Sequence, residues 1–187
     1  FGLNTISVSA TDLAGNTSAA QRKVTYDNIK PTLAVTSPSA DIATNQTPMT
    51  IIGTVSDLTD VLVTVATGTY VYTPVVSGGL FGQDIAFLED RLYPIIVTAM
   101  DLSGNQTSVT RNIIFDATPP VIIGTPLDIT IEATSNAGMA VTYTLPTAVD
   151  AVDGPVAVSC APASGSVFPL GRTSVTCSAS DKTGNTT

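Results

Sequence analysis

Aspartate is the residue of this sequence best placed to do chemistry. Asp27 and Asp116 each follow an aromatic residue, Tyr26 and Phe115, and each precede a proline by four positions, Pro31 and Pro120. Asp57 and Asp60 fall in one loop, and Asp150 and Asp153 in another. Carboxylates are hard oxygen donors, and calcium gathers about six to eight such oxygens, drawing on backbone carbonyls and water for the remainder. Calcium is therefore the one cofactor these residues suggest, with Asp27 and Asp116 as the ligands that matter most. The other reading is structural: the same residues form Asx-turns and solvated loop faces. No dense Asp-x-Asp-x-Asp run decides between the two.

Other chemistries find less support. The chain has no His, which removes Ser-His-Asp and Cys-His catalysis and every His-ligated metal site. Glu89/Asp90 and Asp150/Asp153 are paired carboxylates of the kind used as acid and base. Neighbouring side chains on a strand face opposite ways, which counts against the first pair if it lies on one. Gly78-Gly79-Leu80-Phe81-Gly82 is a turn between strands and opens no helix, so it is not a dinucleotide fingerprint. The expectation is a chain that is not an enzyme. Seven basic against fifteen acidic residues leave a net charge of −8, which argues against nucleic acid and anionic membrane as partners. The absence of Trp weakens the case for a sugar-stacking platform. No apolar run is long enough to span a bilayer. With 43% apolar and 12% charged residues, the chain can build cores.

The elements that must position these aspartates are organised by a repeat. Asp12-Leu13-Ala14-Gly15-Asn16 recurs as Asp101-Leu102-Ser103-Gly104-Asn105 and again as Asp181-Lys182-Thr183-Gly184-Asn185. The spacing is about 80–90 residues, close to one small β-sandwich. Small or branched apolar residues precede each copy at every second position: Ile6, Val8 and Ala10; Ile95, Val97 and Ala99; Val175, Cys177 and Ala179. A period of two marks a half-buried strand. The pentapeptide is then a hairpin loop, with Asp folding back onto backbone N–H groups, Gly supplying a positive φ and Asn tolerating one.

Asp27 and Asp116 close the strand that follows the turn, and a stiff Pro-bearing linker comes next. Boundaries are expected near residues 30 and 118. Between them, seven strands are predicted at Leu33–Thr36, Met49–Val55, Val61–Ala66, Tyr70–Val75, Leu80–Phe87, Tyr93–Met100 and Thr107–Phe115, separated by Gly, Pro, Asn and Asp. The predicted fold class is all-β: tandem immunoglobulin-like β-sandwiches joined end to end by short Pro-containing linkers. Tyr93 sits where a tyrosine corner would be; an ordinary half-buried Tyr fits equally well.

Residues 1–118 resemble the bacterial Ig-like modules of large surface proteins. The resemblance rests on the strand ending in Asp-x-x-Gly-Asn, the Asp-x-x-x-Pro linker and the stretch Ile52-Gly53-Thr54-Val55-Ser56-Asp57. It implies that residues 1–30 are the last two strands of a truncated module and that 31–118 is a complete one. Residues 119–187 resemble a hyalin-repeat (HYR) domain lacking its last strand. The matching residues run from Thr118-Pro119-Pro120-Val121-Ile122 through Asp128-Ile129-Thr130-Ile131-Glu132-Ala133 and Pro146-Thr147-Ala148-Val149-Asp150 to Val158-Ser159-Cys160 and Thr173-Ser174-Val175-Thr176-Cys177. This resemblance implies an extracellular or cell-surface adhesive or spacer role and carries no catalytic residue. Cys160 and Cys177 occupy the hyalin-repeat positions and are expected to form a disulfide; two free buried thiols are the alternative.

The remaining features are secondary. Lys occurs only at 23, 30 and 182, so residues 31–118 cannot hold a Lys–Asn crosslink. Asn16, Asn45, Asn105 and Asn185 match the glycosylation pattern, but three of the four are turn residues. The chain opens without a signal peptide and reads as part of a longer protein. Its expected function is a non-catalytic spacer or stalk whose partners are flanking modules of the same chain. The alternatives are an adhesin module binding an extracellular protein or glycan through its loops, and an accessory domain of a secreted polysaccharide-degrading enzyme. Residues 1–30 are expected to add little stability, and the unpaired strand edges to favour association.

Overall fold

The computed structural model describes residues 2–68 and 70–187. Strands β1 (Gly2–Thr11) and β2 (Thr17–Tyr26) pair as an antiparallel hairpin. Eight strands follow: β3 (Thr32–Ser37), β4 (Ile42–Thr44), β5 (Met49–Ser56), β6 (Val61–Thr67), β7 (Tyr70–Tyr72), β8 (Leu80–Ile85), β9 (Arg91–Asp101) and β10 (Gln106–Phe115). The last seven are β11 (Val121–Ile123), β12 (Met139–Ala140), β13 (Thr147–Asp150), β14 (Gly154–Val156), β15 (Val158–Ala161), β16 (Val167–Phe168) and β17 (Thr176–Ala179). Among the described residues there is no helix, and so none long and apolar enough to cross a membrane. The protein is an all-β sandwich chain.

Strands β3 to β10 make two sheets, one ordered β3-β5-β8 and the other β4-β10-β9-β6-β7. Contacts between residues divide the chain into two compact units. The first holds Phe1–Asp41, Thr50–Ile85 and Pro94–Asn112; the second holds Ile42–Met49, Ala86–Tyr93 and Ile113–Thr187.

In the first unit, alternation along each strand sends one face inward. Ile51 and Val55 are buried on β5, Val63 and Val65 on β6, and Ile95, Val97 and Ala99 on β9. Full burial of each Val or Ile side chain is worth roughly 1.5–3 kcal/mol, so this inward face holds the sheets together. Gly53 shares that face. A Cβ built there would lie 2.3 Å from the Phe81 ring and 2.4 Å from the Ala34 carbonyl oxygen, so the close approach of ring and backbone requires Gly. Gly53→Ala is expected to cost about 2–3 kcal/mol through overpacking, read from the denaturant midpoint. An unchanged midpoint would contradict that packing.

The β1–β2 hairpin departs from expectation. Ile6 is 54% exposed and Val8 64%, although their alternation predicts a half-buried strand. Every residue of β1 and β2 except Gly2 is exposed, so the period of two is present without the burial it usually reports. Two strands are shorter than expected. β7 stops at Tyr72, two residues before Pro74, which cannot donate to a ladder, and β8 stops at Ile85 rather than Phe87. Strand β4 was not anticipated at all.

In the second unit, β4 runs parallel to the end of β10, with Ile42, Ala43 and Thr44 opposite Ile113, Ile114 and Phe115. Phe87 stacks on Phe115, with ring centroids 5.4 Å apart, and meets Tyr93 at 4.8 Å. The Tyr93 hydroxyl donates to the Glu89 carbonyl at 3.1 Å and accepts from the Glu89 amide at 3.2 Å. That loop-back to the backbone four residues upstream is a tyrosine corner, and the Arg91 guanidinium covers the ring at 4.3 Å. Tyr93→Phe is expected to lower stability by about 1–2 kcal/mol, measured by chemical denaturation, because Tyr93 is buried and its backbone partners lose their hydroxyl. A neutral result would show that these hydrogen bonds contribute nothing net.

Beyond β10 the sheets are small: β11-β13-β14, β12-β16 and β15-β17. Ala148 and Ala179 are buried here, while Leu127 is 90% exposed. The Cys160–Cys177 disulfide joins residues directly opposite each other in the β15–β17 pair.

Candidate metal sites

The three repeated turns share one construction. Asp12 Oδ1 accepts from the amides of Ala14 and Asn16, each at 2.9 Å, and its Oδ2 accepts from Asn16 Nδ2 at 2.8 Å. Asp101 makes the same bonds to Ser103, Asn105 and Asn105 Nδ2 at 2.8, 2.9 and 2.7 Å. Asp181 accepts from the Asn185 amide at 2.9 Å and from Asn185 Nδ2 at 2.6 Å. Gly15, Gly104 and Gly184 close the turns with φ of 85°, 89° and 91°, a region open chiefly to Gly. Burial pushes the Asp101 and Asp181 carboxyls upward, but the Asn side-chain and backbone donors outweigh it and hold both below the ordinary Asp value.

In the second and third copies the turn also bonds the backbone of the segment between aspartate and proline. Asn105 Nδ2 donates to the Asp27 carbonyl at 3.3 Å, and Asn185 Nδ2 to the Asp116 carbonyl at 3.0 Å. Thr107 adds a hydroxyl bond to the Pro31 carbonyl at 2.6 Å.

This arrangement brings three carboxylates together twice. Asp27 at the end of β2, Asp57 after β5 and Asp101 at the end of β9 meet in the first unit. Asp116 after β10, Asp150 at the end of β13 and Asp181 in the last turn meet in the second. In each group the three ligand oxygens lie within 4.8 Å of one another. These are the groups of this kind among the described residues.

Like charges so close, and so deeply placed, are costly without a partner. Asp27, Asp101, Asp116, Asp150 and Asp181 are all buried. The Oδ2 atoms of Asp27, Asp116 and Asp150 are buried with no hydrogen-bond donor. Their Oδ1 atoms are used: Asp27 by the Ile29 amide, Asp116 by the Thr118 amide, and Asp150 by the amides of Val152 and Asp153. Burial, together with the charges of Asp150, Asp181 and Asp90, raises the Asp116 carboxyl above its ordinary value. One divalent cation in each group would satisfy the three orphaned oxygens between them, and the donor set suits calcium.

Of the six aspartates singled out by sequence, four enter these groups: Asp27, Asp57, Asp116 and Asp150. Asp60 belongs to neither. Asp153 pairs with Lys182 instead, accepting from Nζ at 2.8 Å and from the amide at 2.7 Å. The missed members are Asp101 and Asp181, which turn chemistry already accounted for. Their signal was their recurrence at the same position of each repeat.

Family comparison divides the chain in two. Residues 31–117 match the family model of glucodextranase, domain B, and residues 115–187 match that of the HYR domain. The two matches together span residues 31–187. No curated protein matches the chain.

Several solved structures are similar at low identity. A Ca2+-stabilised adhesin that helps an Antarctic bacterium reach out and bind ice is 20% identical over 100% of this chain and 54% of its own, with a TM-score of 0.34. A 1.5-MDa bacterial ice-binding adhesin is 24% identical over 62% of this chain and 43% of its own, with a TM-score of 0.29. An engineered protein is 22% identical over 46% of this chain and 20% of its own, with a TM-score of 0.35. The chain thus spans between 20% and 54% of the length of these structures.

Proposed function

We propose that this chain is a non-catalytic run of extracellular or cell-surface β-sandwich modules serving as a spacer or stalk, with calcium fastening its joints. The modules are taken as residues 1–30, 31–118 and 119–187. The observation that carries the reading is the recurrence of one device at both Pro-bearing linkers. A linker aspartate, a loop aspartate and a turn aspartate converge, with buried oxygens left for a cation. Calcium there would tie a linker to the loop and turn that follow it, which limits bending at the joint. No step of catalysis is needed for such a part. The HYR match supports an adhesion-type setting.

A second reading has its own support. The glucodextranase domain B match fits an accessory domain of a secreted polysaccharide-degrading enzyme. One experiment separates them: the chain is screened against immobilised polysaccharides and extracellular-matrix proteins, with and without calcium. No saturable binding, together with calcium-dependent resistance to proteolysis at residues 27–31 and 116–120, is the expected result. Saturable polysaccharide binding would favour the accessory domain, and saturable protein binding lost on changing one loop would favour an adhesin.

A further inference from the structure

The two aspartate groups share a plan but differ in detail. At 116/150/181, two carboxylate oxygens, Asp116 Oδ2 and Asp150 Oδ2, are buried with no donor. At 27/57/101 only Asp27 Oδ2 is in that state. The loop member differs most. Asp150 is 3% exposed, with Oδ1 held by two backbone amides so that Oδ2 is left free. Asp57 also has one oxygen held locally, Oδ2 by the amide and hydroxyl of Thr59 at 3.1 and 3.2 Å, but it is only half-buried and its other oxygen is not sealed from water.

Charge follows the same order. Asp90 adds negative charge near Asp116. The nearby cation, Lys182, is engaged by Asp153 at 2.8 Å. A buried carboxylate attracts a cation through a low effective dielectric, whereas one open to water is screened. A site also binds more tightly when its ligands are already buried and held in place.

We propose that the two sites are unequal: calcium occupies Asp116/Asp150/Asp181 first and stays there, while Asp27/Asp57/Asp101 fills and empties as ambient calcium changes. The linker at 116–120 is then a permanent joint and the one at 27–31 a conditional one. This inference rests on the calcium reading above.

Calorimetric titration of the metal-free chain with calcium chloride tests it. Two binding events are expected, separated by about tenfold or more in Kd. Asp150→Asn should remove the tighter event and leave the weaker, and Asp57→Asn should do the reverse. Hydrogen exchange on the unaltered chain provides a reading that needs no variant. The Thr118 amide, bonded to Asp116, should slow at lower calcium than the Ile29 amide, bonded to Asp27. Two ions bound with one shared affinity, or the opposite order of protection, would overturn the ranking while leaving the calcium reading intact. No binding at all would overturn both.

Discussion

Saturating calcium is expected to raise the melting temperature of this chain by about 10 °C or more over the same chain in chelator. A ligand that binds only the folded state at a hundred times its Kd contributes about 2.7 kcal/mol, and each kcal/mol moves a domain of about 60–100 residues by about 4–8 °C. The structural basis is the set of carboxylate oxygens at Asp27, Asp116 and Asp150 that are buried without donors. The sharper form of the experiment is Asp116→Asn, because its effect changes sign. Without calcium the substitution removes an uncompensated buried charge, and the variant melts above the unaltered chain by an amount equivalent to about 1–3 kcal/mol. With calcium the variant loses the ligand and melts below it. Calorimetry in chelator and in calcium gives all four values. Equal melting temperatures for the unaltered chain in both buffers would end the calcium reading.

Reduction of Cys160–Cys177 is expected to cost about 3 kcal/mol, the loop-entropy value for a closed loop of about this length. The effect should be confined to the part of the chain beyond β10. Few large apolar side chains are buried there, and its sheets have two or three strands each. The bond staples β15 to β17, a four-residue pairing with little else to hold it. Melting in reductant should therefore show a separate transition at least 10 °C lower, with the double variant Cys160→Ala/Cys177→Ala behaving alike. The variant tells loss of the bond from any other action of the reductant. One unchanged transition in both experiments would show that packing alone suffices.

Much of the architecture could be read along the chain. Ile51-x-Gly53-x-Val55 and Ile95-x-Val97-x-Ala99 alternate in sequence and do so in burial. The turn at Asp101-Leu102-Ser103-Gly104-Asn105 was legible because its hydrogen bonds link residues no more than four apart. Strand β4 was not legible. It has three residues, too few to show a period, and it exists because the end of β10 lies alongside it. Exposure of Ile6 and Val8 was equally hidden, since alternation states which residues could be buried and not whether anything covers them.

The metal groups divide in the same way. Asp27 and Asp116 stood out through their place before Pro31 and Pro120, and Asp57 and Asp150 through their loops. Asp153 looked equivalent to Asp150, yet Lys182 binds it from the last turn. Asp101 and Asp181 were assigned to turns, and they serve the turn and the cluster together.

Chain order alone determined that this protein is made of strands and where its repeated hairpins turn. Those features depend on side-chain period and on backbone preferences within a few residues. The fold decided which three carboxylates converge and which of their oxygens are left without a donor. Asp116, Asp150 and Asp181 come from three separate parts of the chain, and only the pairing of distant strands brings such parts together and shuts out water.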